Sequence, residues 1–400
     1  MPIKSRYYIL LFIPFFALFY SEPLKLGAMS VSQLWKIPLA LYLIYYLLQH
    51  RHVEVPAWSR WQYWLSLKSF LNADTIVSIM SNVQSALKIS FLPLLYNYFN
   101  NRGWRKATLQ RTLLLVVQYF ILTNVPFLLG LKTINTGHDY GVFVAYSGIF
   151  QNQHAMSVIM GICIVVILNA FKTGQIEAWA AKAYNVGLIA MACYAMYLGF
   201  ARTGWLMFIL ATITLFVPRN ANVRQWAGIM LIILTLMGGF VYMFNNNEKF
   251  HDRIVGNDLQ THHRQNIDSG RSQYMAIALE RYSQGSVMEL MFGISYTEVR
   301  EAIRAKTGLH IGAHNGFVDT LTANGVIGLA LMMLTIGGLL AFILHRRNEQ
   351  TFRLAMAIWV MLVSFQMTQG GYMFHSDFIY ALIYCLLETE HQHTLAGQTE

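Results

Sequence analysis

The chain has 400 residues, 56% of them hydrophobic and only 12% charged, with a mean hydropathy of +0.41. Soluble domains carry about a quarter charged residues, so this composition excludes an ordinary soluble fold and fits a polytopic membrane protein. The net charge of +10 sits at the ends of apolar runs, which marks topology and an anion site and argues against a nucleic-acid surface. Cys163, Cys193 and Cys385 each lie inside an apolar run, with neither disulfide pairing nor zinc-ligand spacing.

A membrane span needs about 20 apolar residues. Runs near 7–24, 33–49, 57–74, 79–99, 110–130, 154–171, 183–200, 205–217, 226–244, 324–345, 353–370 and 376–388 predict an all-α polytopic membrane protein with about twelve transmembrane helices. The first follows Lys4 and Arg6 and lacks a small-residue cleavage site, so it reads as an uncleaved span. Lys68, Asp74 and Lys88 interrupt 57–99, where one piece is expected to be re-entrant or interfacial. With the amino terminus in the cytoplasm, Arg51, Arg105, Lys106, Lys172, Lys182, Arg219, Arg224, Arg346, Arg347 and Arg353 fall on the cytoplasmic side. The short outer links hold chiefly Lys25, Lys132 and Arg202. This asymmetry places both termini in the cytoplasm. Residues 1–400 then read as one transmembrane domain, with 245–323 an outer loop between the spans near 226–244 and 324–345.

That loop is the only long polar interruption. It carries His251, His262, His263, His310 and His314 among several arginines. Over 271–282, Tyr274, Ile277, Ala278 and Tyr282 share one face at helical spacing, which predicts a helix along the membrane surface or over the bundle. Asp268 or Ser269 would cap it, with Arg271 in the first turn. A cation there opposes the helix dipole and points to a bound anion; an exposed loop arginine is the alternative. Arg202 lies in the four-residue link 201–204 between apolar runs. A charge at the hydrocarbon edge is usually offset by a partner or a function, with snorkelling to the headgroups as the alternative. His314 precedes Asn315, a good cap for a short helix 316–323 ending at Asn324-Gly325. Its imidazole titrates near neutral pH and suits a general base, though a lone histidine is more often structural. His310 and His314 are four apart, but Gly308 and Gly312 interrupt a ligand helix, so no metal is expected.

Ala201-Arg202-Thr203-Gly204-Trp205, Gly270-Arg271-Ser272, Leu290-Met291-Phe292-Gly293-Ile294 and Ala313-His314-Asn315 through Gly325-Val326-Ile327-Gly328-Leu329 resemble the bacterial O-antigen polymerase and O-antigen ligase superfamily. The resemblance covers roughly 145–345; the first half of the chain matches only in hydropathy. It implies an inner-membrane, metal-independent, inverting glycosyltransferase of the GT-C type that needs no cofactor and works at the periplasmic face. The implied partners are an undecaprenyl-diphosphate-linked oligosaccharide, an acceptor glycolipid, membrane lipids and other polysaccharide-assembly proteins, with no nucleic acid. By position, Arg202 and Arg271 would hold the diphosphate and His314 would activate the acceptor hydroxyl, with Asn315 and Tyr274 contacting substrate. The 271–314 spacing leans toward a polymerase, with a ligase as the alternative. A lipid-linked sugar transporter is an outside alternative, which would require charges at mid-membrane.

Overall fold

A computed structural model describes residues 25–26, 29–30, 36–49, 55–71, 76–101, 103–130, 146–150, 153–199, 201–217, 223–248, 271–370 and 374–396. Apart from a small ribbon pairing Lys25–Leu26 with Met29–Ser30, the regular structure there is helical. In chain order come α1 (Lys36–Gln49), α2 (Ala57–Leu71), α3 (Ile76–Asn101), α4 (Lys106–Leu122), α5 (Val125–Leu128) and α6 (Gln153–Lys172). Next are α7 (Trp179–Gly199), α8 (Arg202–Phe216), α9 (Val223–Asn246), α10 (Arg271–Ser283) and α11 (Val287–Phe292). The last are α12 (Tyr296–Thr307), α13 (Gly316–His345), α14 (Phe352–Thr368) and α15 (Phe374–Ala396). Among the described residues, Lys106–Leu128, Gln153–Lys172 and Gly316–His345 are long and apolar enough to cross a membrane. Ala40–Gln49, Thr203–Phe216 and Phe352–Thr368 are apolar but shorter. The expected span near 7–24 lies outside the described residues.

The chain forms two compact units, one from Met1–Leu39, Arg105–Gln265 and Arg353–Met361, the other from Ala40–Trp104, Asn266–Phe352 and Leu362–Glu400. In the first, α6 is the centre, and α4, α7 and α8 pack on it. An all-round apolar helix belongs inside a bundle, and α6 is buried along nearly its whole length. The Lys172 ammonium at its end donates to Leu215 O, 2.6 Å away, in the last turn of α8. There the cation complements the negative end of the helix dipole.

In the second unit, α2 packs on α3 and α13, while α3 also packs on α15. Polar side chains of α2 and α3 meet across their contact, whereas Asp74, one of the interruptions marked in the sequence, lies outside the described residues. Gln62 Nε2 donates to Ile89 O at 2.7 Å, Ser66 Oγ to Ala86 O at 2.5 Å, and Asn97 Nδ2 to Ser59 Oγ at 2.9 Å. The expected re-entrant or interfacial piece lies in a packed helix pair, across which these amide and hydroxyl donors find acceptors. Over the loop, Tyr274, Ile277, Ala278 and Tyr282 form a small core with Ile294, Val299, Ile303 and Ala313. The same four residues set the predicted apolar face of α10. A capping box at Ser286 and Glu289 starts α11. Hydrogen bonds from the Ser286 backbone and hydroxyl hold the Glu289 carboxyl below its ordinary range, with Arg281 adding to the shift.

The predicted break at Asn324-Gly325 is present, and the predicted apolar span near 324–345 begins there. Gly325 leaves helical geometry (φ 69°, ψ −173°), and α13 resumes at once as the long apolar segment. The kink is gripped from the loop side. Ile294 N donates to Thr322 O at 2.9 Å, and buried Lys68 donates to Phe292 O at 2.5 Å. Between them Gly293 has φ 92°, and a Cβ there would overlap the Ala323 carbonyl. Gly293→Ala should lower stability by at least about 1–3 kcal/mol, the usual cost of such strain. Gly337→Ala, with nothing within 4 Å of the new methyl, should be neutral or stabilising by up to about 1 kcal/mol. Thermal melting of the two detergent-purified variants checks this; equal midpoints would remove the Gly293 contact from the account.

Candidate active site

The second unit gathers Arg271, Tyr274, His314 and Asn315 around the carboxyl end of α14. The last carbonyls of a helix lack intrahelical partners and accept from outside donors. Here Asn315 Nδ2 donates to Met367 O at 3.0 Å, and Arg271 Nη1 donates to Thr368 O at 2.8 Å. Two consecutive carbonyls thus fix one side chain from α10 and one from the start of α13. The guanidinium meets the negative end of the α14 dipole, which favours it there.

His314 sits between these anchors in the left-handed region, with φ 55°. For a residue bearing a Cβ this costs about 1–3 kcal/mol and persists only where the surroundings enforce it. One enforcing element is the cap that the sequence predicts: Asn315 Oδ1 accepts from Phe317 N at 3.0 Å and Val318 N at 3.1 Å. Behind the imidazole lies the Tyr274 ring, with centroids 6.2 Å apart and planes inclined by 48°. Tyr274 is itself buried in the loop core, so it backs the imidazole and presents little open surface for a substrate.

On the other side of the 308–315 segment, Asp319 Oδ1 accepts from Ala313 N at 2.9 Å. The Arg300 guanidinium lies 4.4 Å from the Tyr296 ring centroid and within 3.4 Å of its hydroxyl. Burial pushes the Tyr296 hydroxyl above its usual pKa, the Asp319 carboxylate adds to the shift, and Arg300 opposes it. None of these three was marked by the sequence. An acid in the first turn of a helix is a common dipole-favoured choice, and the long-range partners are invisible in a single chain.

In the first unit, Arg202 is the first residue of α8, after an extended Ala201. It is therefore helical and not in a loop, as the four-residue link suggested. Both predicted diphosphate arginines begin helices, where backbone N–H groups and the dipole favour anions. Thr203 Oγ1 lies 3.4 Å from His154 Nδ1 on α6, a neighbour that its position 49 residues earlier concealed. His310 faces Glu301 at 3.2 Å. His251, His262, His263, Asp268 and Ser269 lie outside the described residues.

Residues 186–333 match the family model described as O-antigen ligase. That match supports a place in the O-antigen ligase and polymerase superfamily for this stretch of the chain. The matched stretch runs from α7 into α13 and includes Arg202, Arg271, Tyr274, His314, Asn315 and Asp319. Met367 and Thr368, whose carbonyls anchor two of them, lie beyond it. No curated protein matches the chain.

The Asn315 cap gives a direct check on this geometry. Asn315→Ala should cost about 1 kcal/mol or more, because the cap acceptor goes and the bond to Met367 goes with it. Asn315→Ser should recover part of that loss, since a serine hydroxyl caps nearly as well. Thermal midpoints in detergent read both; an alanine variant as stable as the wild type would show that the cap does not hold this turn.

Proposed function

We propose that the protein transfers a glycan from an undecaprenyl-diphosphate carrier to a sugar hydroxyl at the periplasmic face of the bacterial inner membrane, most directly as a polysaccharide polymerase. The observation that carries this reading is the enforced left-handed His314, with Asn315 and Arg271 donating to consecutive carbonyls of α14, in the stretch around the O-antigen ligase family match. About twelve spans with both termini in the cytoplasm remain the topology of this reading.

The acceptor oxygen attacks the anomeric carbon as the carbon–oxygen bond to the diphosphate breaks, with inversion. The acceptor proton passes to neutral His314, and the lipid diphosphate departs with the bonding electrons. A diphosphate is already a good leaving group, so the developing negative charge is the main thing to stabilise. Arg271 supplies planar donors matched to phosphate oxygens. Arg202 keeps the same role on the strength of the sequence resemblance and of its place at a helix amino terminus. No metal or cofactor is assigned. The family description itself favours the second reading, a ligase that passes the same donor to lipid A-core.

A deletion strain complemented with variants tests the assignment, read on a lipopolysaccharide gel. Loss of a polymerase leaves core plus one repeat; bare core with accumulated lipid-linked glycan would mark a ligase. His314→Ala should insert normally yet lower transfer by about 10²- to 10⁴-fold, the range for a general base. Arg271→Lys and Arg202→Lys should lose most activity, because a point charge replaces a bidentate fork. Exposed Arg304, paired 3.6 Å from Glu301, should tolerate alanine. Wild-type turnover in His314→Ala would remove the base.

A further inference from the structure

Asp319 is a carboxylate that the proposed reaction does not use, and its surroundings are specific. It lies in the first turn of α13, four residues after the cap Asn315, whose carbonyl accepts the Asp319 N–H at 2.8 Å. Its Oδ1 accepts the backbone N–H of buried Ala313 at 2.9 Å, one residue before His314. Two glycine backbones close around the carboxylate. A Cβ built on Gly312 would come within 3.1 Å of Oδ1, and one built on Gly370 within 3.1 Å of Oδ2. On α12, the Arg300 charge favours its ionised form, and the carboxylate in turn acts on the Tyr296 hydroxyl.

The left-handed turn at His314 is therefore held on both sides. Asn315 fixes the chain after it, through Phe317 N, Val318 N and Met367 O. Asp319 fixes the chain before it, through Ala313 N. Without that acceptor, the Ala313 N–H would be a buried donor with no partner there, and the φ 55° at His314 would lose half of what enforces it. A non-glycine residue relaxes from such a conformation when it can, since release regains about 1–3 kcal/mol. The imidazole would move with it, and a displacement of about 1 Å can cost about 10²-fold in rate.

We infer that Asp319 is the positioning residue for the catalytic base: its carboxylate oxygen, by accepting the Ala313 N–H, sets the backbone that aims His314. The role needs an acceptor at Oδ1 and not a proton transfer. This inference rests on His314 being the base, so the test includes His314→Ala in parallel.

The experiment uses the full-length protein purified in detergent, with lipid-diphosphate-linked repeat units as donor, and measures kcat and KM. Asp319→Ala should lower kcat by about 10²-fold while KM for the donor stays within about threefold, because Arg271 is anchored separately on Thr368 O. Asp319→Asn keeps an oxygen acceptor and should recover most of the lost kcat. A second readout does not depend on turnover: the rate at which diethyl pyrocarbonate modifies His314, followed by peptide mass spectrometry. It should change several-fold in Asp319→Ala and stay near wild type in Asp319→Asn. Wild-type kcat and labelling in Asp319→Ala, with His314→Ala inactive, would overturn the positioning role and leave the base in place. An asparagine variant as impaired as the alanine one would also overturn it, since charge and not the acceptor would then matter. If His314→Ala itself turns over normally, the base assignment fails and this inference fails with it.

Discussion

The carboxyl end of α14 is the fixed point of the second unit. Its carbonyls at Met367 and Thr368 cannot be satisfied within the helix, and they are met by Asn315 and Arg271. One demand of helix geometry thereby joins the polar loop, through α10, to the amino end of α13. The described part of the loop from Arg271 onward is packed down. Its small apolar core, its glycine contact at the α13 kink and the Lys68 bond to Phe292 O all keep it against α2 and α13. His314 sits where these restraints meet, and its positive φ is what they enforce.

This arrangement changes how Arg271 should be understood. From sequence, a cation at a helix amino terminus implied an anion, because it opposes the dipole of its own helix. The structure gives it a partner, the negative end of another helix, and that bond orients the guanidinium. The ion pairs on the outer surface of the loop, such as Lys306 with Glu280, are half-exposed and contribute little by comparison. Precision at the site therefore comes from backbone carbonyls and caps, not from surface charge.

Local features of the site were legible in the sequence. The face of Tyr274, Ile277, Ala278 and Tyr282 follows from helical periodicity alone, and the Asn315 cap follows from the chemistry of a short amide beside free N–H groups. Gly325 announced the break, and the apolar run near 324–345 announced the helix beyond it. Long-range features were hidden. Nothing about Gly293 indicates that it must fit under Ala323, and nothing about Lys68 indicates that its partner is 224 residues away. Lys68 weakened the span reading of 57–99 because its carbonyl partner lies far along the chain. Asp319 passed as an ordinary first-turn acid. His314 carries no sequence mark of a left-handed backbone, since that conformation is imposed by its surroundings.

The central claim is that this site breaks a sugar–diphosphate bond by direct attack of an acceptor hydroxyl. Nuclear magnetic resonance of the product made by the purified protein from a lipid-diphosphate-linked donor of known anomeric configuration tests it most directly. The account predicts a new glycosidic bond of inverted configuration, with one intact lipid diphosphate released per bond formed. Retained configuration, or release of lipid monophosphate, would contradict it.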